Sequence, residues 1–135
     1  MSYQSAAAVQ VALYALLSAD TALAALVPGG IYDATPPATP QGTYVLLGDE
    51  DVIDRSDVTG PGAEQRVLIS VVSDAAGFLT AKTAAARISD ILPGAQPALG
   101  VGRVVAIWFH QAQARRAEGG GVRRIDLRFR VRVEG

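Results

Sequence analysis

The chain has no cysteine, a single histidine and no unbroken hydrophobic block of membrane-spanning length among its 135 residues. Without cysteine there is neither a disulfide framework nor a thiolate metal site, and nothing points to an oxidising compartment, so synthesis in the cytoplasm is expected. One histidine excludes the common zinc sites, and any Ser/His/Asp arrangement within one copy has to use His110. No G-x-S-x-G elbow accompanies it, so a polar residue closing an apolar strand is the expected role. Met1-Ser2-Tyr3-Gln4 carries no basic stretch, and the alanine-rich run behind it is broken by Gln10, Ser18 and Asp20, which argues against a signal peptide or a membrane span. Asp49-x-Asp51-x-x-Asp54-x-x-Asp57 lacks the glycine, the spacing and the terminal glutamate of a calcium loop. Gly119-Gly120-Gly121 is followed by no lysine-serine or lysine-threonine pair and no helix start, so it is a hairpin turn rather than a phosphate cradle. No catalytic residue, metal site or cofactor is expected.

Half of the residues are apolar, enough for one domain that buries roughly two-thirds of the surface its unfolded chain would expose. The formal charge of −1 hides a polar distribution. Residues 1–64 hold eight acids and one arginine (−7), and residues 65–135 hold eleven bases and five acids (+6). The acids concentrate in Asp49, Glu50, Asp51, Asp54 and Asp57, and seven of the twelve bases fall in Arg115–Arg132. From Arg124 to Val133 the chain alternates strictly: Ile125, Leu127, Phe129, Val131 and Val133 form one face, and Arg124, Asp126, Arg128, Arg130 and Arg132 the other. That is a β-strand with one buried and one arginine-rich face. Arginine with no lysine among it suits bidentate carboxylate pairing at a protein interface better than generic solubility does. If the fold keeps the two charge clusters on separate surfaces, one copy complements the next and head-to-tail rings are favoured. The alternative is that acidic and basic strands pair within one sheet. A pI of 5.7 is unlike that of a dedicated nucleic-acid-binding domain.

Val9, Leu13, Leu16 and Leu17 recur at helical spacing, so about Ser5 to Leu17 is predicted helical, with Ser5 or Ser2 as cap. Ser18-Ala19-Asp20 begins a second, shorter helix with Leu23 and Leu26, ended by Pro28-Gly29-Gly30. Ile31-Tyr32-Asp33 is a short extended piece, and Ala34–Gly42, with Pro36, Pro37 and Pro40, is irregular. Thr43–Leu47 starts a strand that runs into the acidic stretch, and Gly60-Pro61-Gly62 turns the chain into a second strand at Arg66–Val72. The outer half of this hairpin lacks a hydrophobic face, so its tip is expected to project. Leu79, Ala81, Ala84, Ala85, Ile88, Ile91 and Leu92 mark a helix closed by Pro93-Gly94. Val104–Phe109 is apolar at six consecutive positions, which suggests a central strand covered on both faces, with Trp108 and Phe109 in the core. Residues 1–135 are thus predicted to form a single α+β domain, a mainly antiparallel mixed sheet flanked by helices, in the order α-α-β-β-α-β-β with a projecting hairpin.

This order of features resembles the tail-terminator (tail-completion) proteins of long-tailed phages and phage-derived gene transfer agents. The likeness spans nearly the whole chain and is most specific in Leu16-Leu17-Ser18-Ala19-Asp20, Ala22–Val27, Gly30-Ile31-Tyr32-Asp33 with Pro36-Pro37, and Tyr44-Val45-Leu46-Leu47-Gly48. Many relatives place an aromatic residue and a proline just before the tyrosine, where this chain has Gln41-Gly42-Thr43. The resemblance implies a structural virion protein, not an enzyme, that forms a hexameric ring on the head-proximal end of the tail tube. The ring ends tube growth and joins the tail to the head-tail connector or stopper protein, while DNA passes through the lumen without being read and no membrane is involved. The implied partners are further copies of the chain, the tail tube protein and the connector, and the implied location is the tail of a particle made in the bacterial cytoplasm. Charge segregation then suggests Arg124, Arg128, Arg130 and Arg132 for contacts with subunits or neighbouring rings, and Asp49, Glu50, Asp51, Asp54 and Asp57 for a lumen-facing or tube-facing hairpin. Two other readings are a nucleic-acid-binding accessory module that uses the arginine strand, and another head-to-tail neck protein.

Overall fold

A computed structural model describes residues 3–34, 36, 38, 40–56, 58, 60–116 and 121–135. Ser2, Pro37, Asp57, Gly119 and Gly120, all named above, lie outside the described residues. After a 3-10 turn at Tyr3–Ser5 come α1 (Ala6–Ser18), α2 (Thr21–Leu26), β1 (Ile31–Tyr32), β2 (Tyr44–Asp54), β3 (Gly62–Ser73), α3 (Leu79–Ile91), β4 (Arg103–Arg116) and β5 (Arg123–Glu134). This is the predicted α+β order with the short extended piece added as β1. The strands form one mixed sheet in the order β1-β2-β3-β5-β4, antiparallel except for the β1–β2 pair.

The helices share one face of the sheet. Val9, Leu13 and Leu17 of α1, Leu23 of α2, and Ala81, Ala84, Ala85 and Ile88 of α3 are buried with Val45, Val67, Ile69, Val71, Ile125, Leu127, Phe129, Val131 and Val133. Pleating alternates side chains along β5, so the odd-numbered positions enter this core and the even-numbered arginines point to the opposite face. Helix-forming alanines on α3 let it approach the sheet closely. Gly30, with φ of +100°, turns the chain from α2 into β1 in a region open to glycine at no steric cost.

Three expectations are corrected. β4 is an edge strand, not a central one, and Trp108 and Phe109 are 49% and 47% exposed. The apolar run reflects two register shifts, between Val104 and Ala106 and between Phe109 and Gln111, which break the alternation that would otherwise mark a half-exposed strand. The β2–β3 hairpin does not stand free, because β5 pairs with β3 along its whole length, from Ser73↔Arg123 to Gly62↔Glu134, and the Gly135 amide donates to the Pro61 carbonyl at 3.2 Å. Ser5 stands at the start of α1 but makes no side-chain cap hydrogen bond, since the preceding 3-10 turn already holds the backbone in the helical region.

Asp20 does cap α2, accepting from the Leu23 amide at 2.8 Å. It also accepts from Arg87 of α3 at two points, Nε at 2.9 Å and Nη2 at 2.6 Å, and so clamps two helices together. The Arg87 guanidinium and then the Leu23 amide pull its carboxyl down from 3.8 to about 2. The folded state thus favours the ionised form, and the contribution is present above about pH 4 and lost as pH falls towards 2. In urea titrations the Asp20→Ala chain should unfold more readily than the parent at pH 6, and the difference should shrink between pH 4 and pH 2. Phe129 is fully buried at the centre of the sheet. Phe129→Ala should cost about 3–5 kcal/mol in the same titrations.

Candidate functional site

Among the described residues no helix covers the second face of the sheet. The registers place Leu46, Asp51 and Ile53 of β2, Glu64, Arg66, Leu68 and Ser70 of β3, the even positions 124–134 of β5, and Trp108, Gln111, Gln113 and Arg115 of β4 on that face. The arginines and part of the acidic stretch therefore lie on one face of one sheet, although the acidic and basic strands do not pair with each other as the alternative had it. β3 separates the two strands, and Arg66 stands directly across from both Asp51 and Arg130. Asp49, Asp51, Arg66, His110 and Arg128 converge on a shallow cleft of about 190 Å³. Glu50 also lines this cleft, but it pairs with Val67 on the helix side and accepts hydrogen bonds from Tyr3 and Gln65. Asp54 accepts from the Ser56 amide at 3.0 Å and the Ser56 hydroxyl at 2.7 Å, which fixes the turn leaving β2 and lowers its pKa.

The four candidate arginines divide into two kinds. Asp126, the acid that interrupts the alternation, accepts from the Ser70 hydroxyl at 2.7 Å and from Arg124 Nε at 2.8 Å, while Arg115 Nε approaches it at 3.4 Å. Arg124 also donates to Ser70 at 3.0 Å. Burial pushes the Asp126 carboxyl up, but the Ser70 hydroxyl and the Arg124 guanidinium outweigh it and hold the group below the ordinary range. Arg132 donates to the Arg55 carbonyl at 2.9 Å and lies 3.9 Å from Glu134. Arg124 and Arg132 are thus engaged within the chain.

Arg128 is exposed, with no hydrogen bond or ion pair among the described residues, and Arg130 keeps a buried Nε without a partner. Arg130 stands across from Trp108. Exposed tryptophan and arginine side by side are the residue types that dominate protein contact surfaces. The sequence pattern announced the arginines, but the exposure of Trp108 had no sequence signal, because it depends on which strand forms the edge. The Asp126 hub was legible in principle, since a lone acid two residues from Arg124 shares its face.

His110 lies in mid-strand at the second β4 register shift, exposed, rather than closing a strand. Among the described residues no group of histidine and acidic side chains is placed to hold a metal ion, and no helix is long and apolar enough to cross a membrane. Asp126→Ala should leave Ser70 and Arg124 without their buried partner and cost about 1–3 kcal/mol in denaturant titrations. Arg128→Glu on the same strand should stay within about 0.5 kcal/mol of the parent.

A family model described as tail completion protein gp17 matches residues 11–134. A chain in the solved structure of the virion of a native gene transfer agent particle is 57% identical, with a TM-score of 0.93, and the match covers 99% of this chain and 100% of that one. Among curated proteins there is no match.

Proposed function

Because the chain belongs to the tail completion protein gp17 family and is a structural tail component, we propose that it forms a hexameric ring capping the head-proximal end of the tail tube. In this reading the ring stops tube growth and joins the tail to the head connector, and DNA passes through its lumen without being read. The observation that carries the reading is the full-length similarity to a chain of a gene transfer agent virion. The uncovered sheet face supports it, because a two-layer domain with one bare, charged face has a surface left over for a partner.

Within the ring, Arg128 and Arg130, with Trp108 beside them, contact a subunit or a neighbouring ring. Arg124 and Arg132 add to that surface from their intrachain pairs. The acidic end of the β2–β3 hairpin, Asp51 and Asp54 with Glu50 turned to the helix side and Asp57 beyond in sequence, faces the tube or the lumen together with Asp49.

Cells lacking the protein should make tails of uncontrolled length and heads without tails, seen by electron microscopy. Tails of normal length joined to heads would defeat the reading. Trp108→Ala should leave the protein folded, at a cost of roughly 1–3 kcal/mol for the buried half of the side chain, while sharply lowering the amount of the protein in purified particles. Unchanged incorporation would remove Trp108 from the contact surface. A nucleic-acid role would instead show as duplex binding that weakens steeply with added salt.

A further inference from the structure

Both edges of the sheet are only half covered, and the uncovered halves match. On β4 the first half is occupied by the segment after α3: the Gly94 amide donates to the Ile107 carbonyl at 3.3 Å, Gln96 donates to the Val105 carbonyl at 2.8 Å, and Ala98 bridges to Arg103. Beyond the register shift, Gln111–Arg116 pairs with β5 on one side and, among the described residues, with no strand on the other. On β2 the short β1 covers only Val45 and Leu46, and Gly48–Ile53 is likewise paired with β3 alone. Gln111–Arg116 and Gly48–Ile53 are each six residues within longer uncovered runs, Trp108–Arg116 on β4 and Leu47–Ile53 on β2. An edge left open is usually blunted by proline, lysine or an inward charge, and Gln111-Ala112-Gln113-Ala114 carries none of these. The charges are opposite: β4 holds Arg103, Arg115 and Arg116 and no acid, whereas β2 holds Asp49, Glu50, Asp51 and Asp54 and no base.

We propose that Gln111–Arg116 of β4 pairs as an antiparallel strand with Gly48–Ile53 of β2 in the next copy, so that the sheet continues from subunit to subunit. The proposal rests on the ring reading above and supplies its joint. Rotation about the ring axis preserves the sense of each strand along that axis, and β4 and β2 run in opposite senses within one copy, so they meet antiparallel. Full overlap sets Gln111 against Ile53, Gln113 against Asp51 and Arg115 against Asp49. By register five of the six lie on the uncovered face, and Asp49 shares a cleft with Arg66 and Arg128, so the two faces of the sheet carry through the joint without a flip and the uncovered face, with Arg128, Arg130 and Trp108, is left to a neighbouring ring rather than to the adjacent subunit.

The stagger is also what a closed sheet needs. Within one copy Gln113 stands level with Asp126, Ser70 and Leu46, four rungs of the β3–β5 ladder from the level of Asp51, Arg66 and Arg130. Each copy is therefore displaced by four rungs over the four strands β2, β3, β5 and β4. One residue per strand is the stagger of closed barrels whose strands tilt by about 36°. β1 and the incoming β4 would share the β2 edge end to end.

The absence of native cysteine makes the joint directly testable in assembled particles. Asp51 and Gln113 are three strand spacings and four rungs apart within one copy, roughly 19 Å, too far for a disulfide. Particles carrying Asp51→Cys with Gln113→Cys should, on mild oxidation, give a ladder of covalent multimers on a non-reducing gel that ends at the copy number of the ring. Val52→Cys with Gln113→Cys, which puts one thiol on the opposite face, should give monomer. Monomer from the first pair in particles whose ring is visible by microscopy would overturn the strand joint and leave the ring standing. Absence of any ring in the same images would overturn both.

Discussion

Twelve consecutive partner positions join β3 to β5, from Gly62↔Glu134 to Ser73↔Arg123, and everything else in the molecule is placed by that ladder. It fixes which residues of the two most buried strands face the helices, and a slip of one position would send Phe129, Val131 and Val133 to water and bring arginines into the core. The two strands are separated in sequence by α3 and β4, so the ladder closes only after a long stretch of chain has been folded back, and it is paid for by the core that α1, α2 and α3 build on one side.

The same ladder governs the electrostatics. Alternation puts Arg132, Arg130, Arg128 and Asp126 on the uncovered face of β5, and β3 answers with Glu64, Arg66, Leu68 and Ser70 in turn. Where an acceptor lies alongside, as with Asp126 and Ser70, the guanidinium is bound within the chain and contributes to the fold. Where the neighbour is Leu68, as for Arg128, the charge stays exposed and available. One strand thus carries structural and presentable arginines, distinguished by the strand beside it rather than by their own spacing. The acids behave likewise: Glu50 is turned to the helix layer by the irregular register between Leu47 and Glu50, although it sits in a continuous acidic run.

The helical spacing of α1 and α3, the cap at Asp20, the strict alternation of β5 and the α+β order could all be read from the residues, because each is set by neighbours within a few positions. The family resemblance drawn from the N-terminal third is matched by the tail completion family and by the gene transfer agent chain. The position of β4 was not legible. Six apolar residues in a row describe a buried central strand equally well as an edge strand with two bulges, and only the sheet order tells them apart.

The sequence by itself determined the elements, the two charge clusters and the family, since periodicity, capping and residue type are local quantities. Tertiary structure alone decided that acids and arginines share one uncovered face, that Trp108 is exposed beside Arg130, and that each edge of the sheet is half open. Those facts follow from strand order and register, which arise from pairings between residues tens of positions apart and leave no local signature in the chain.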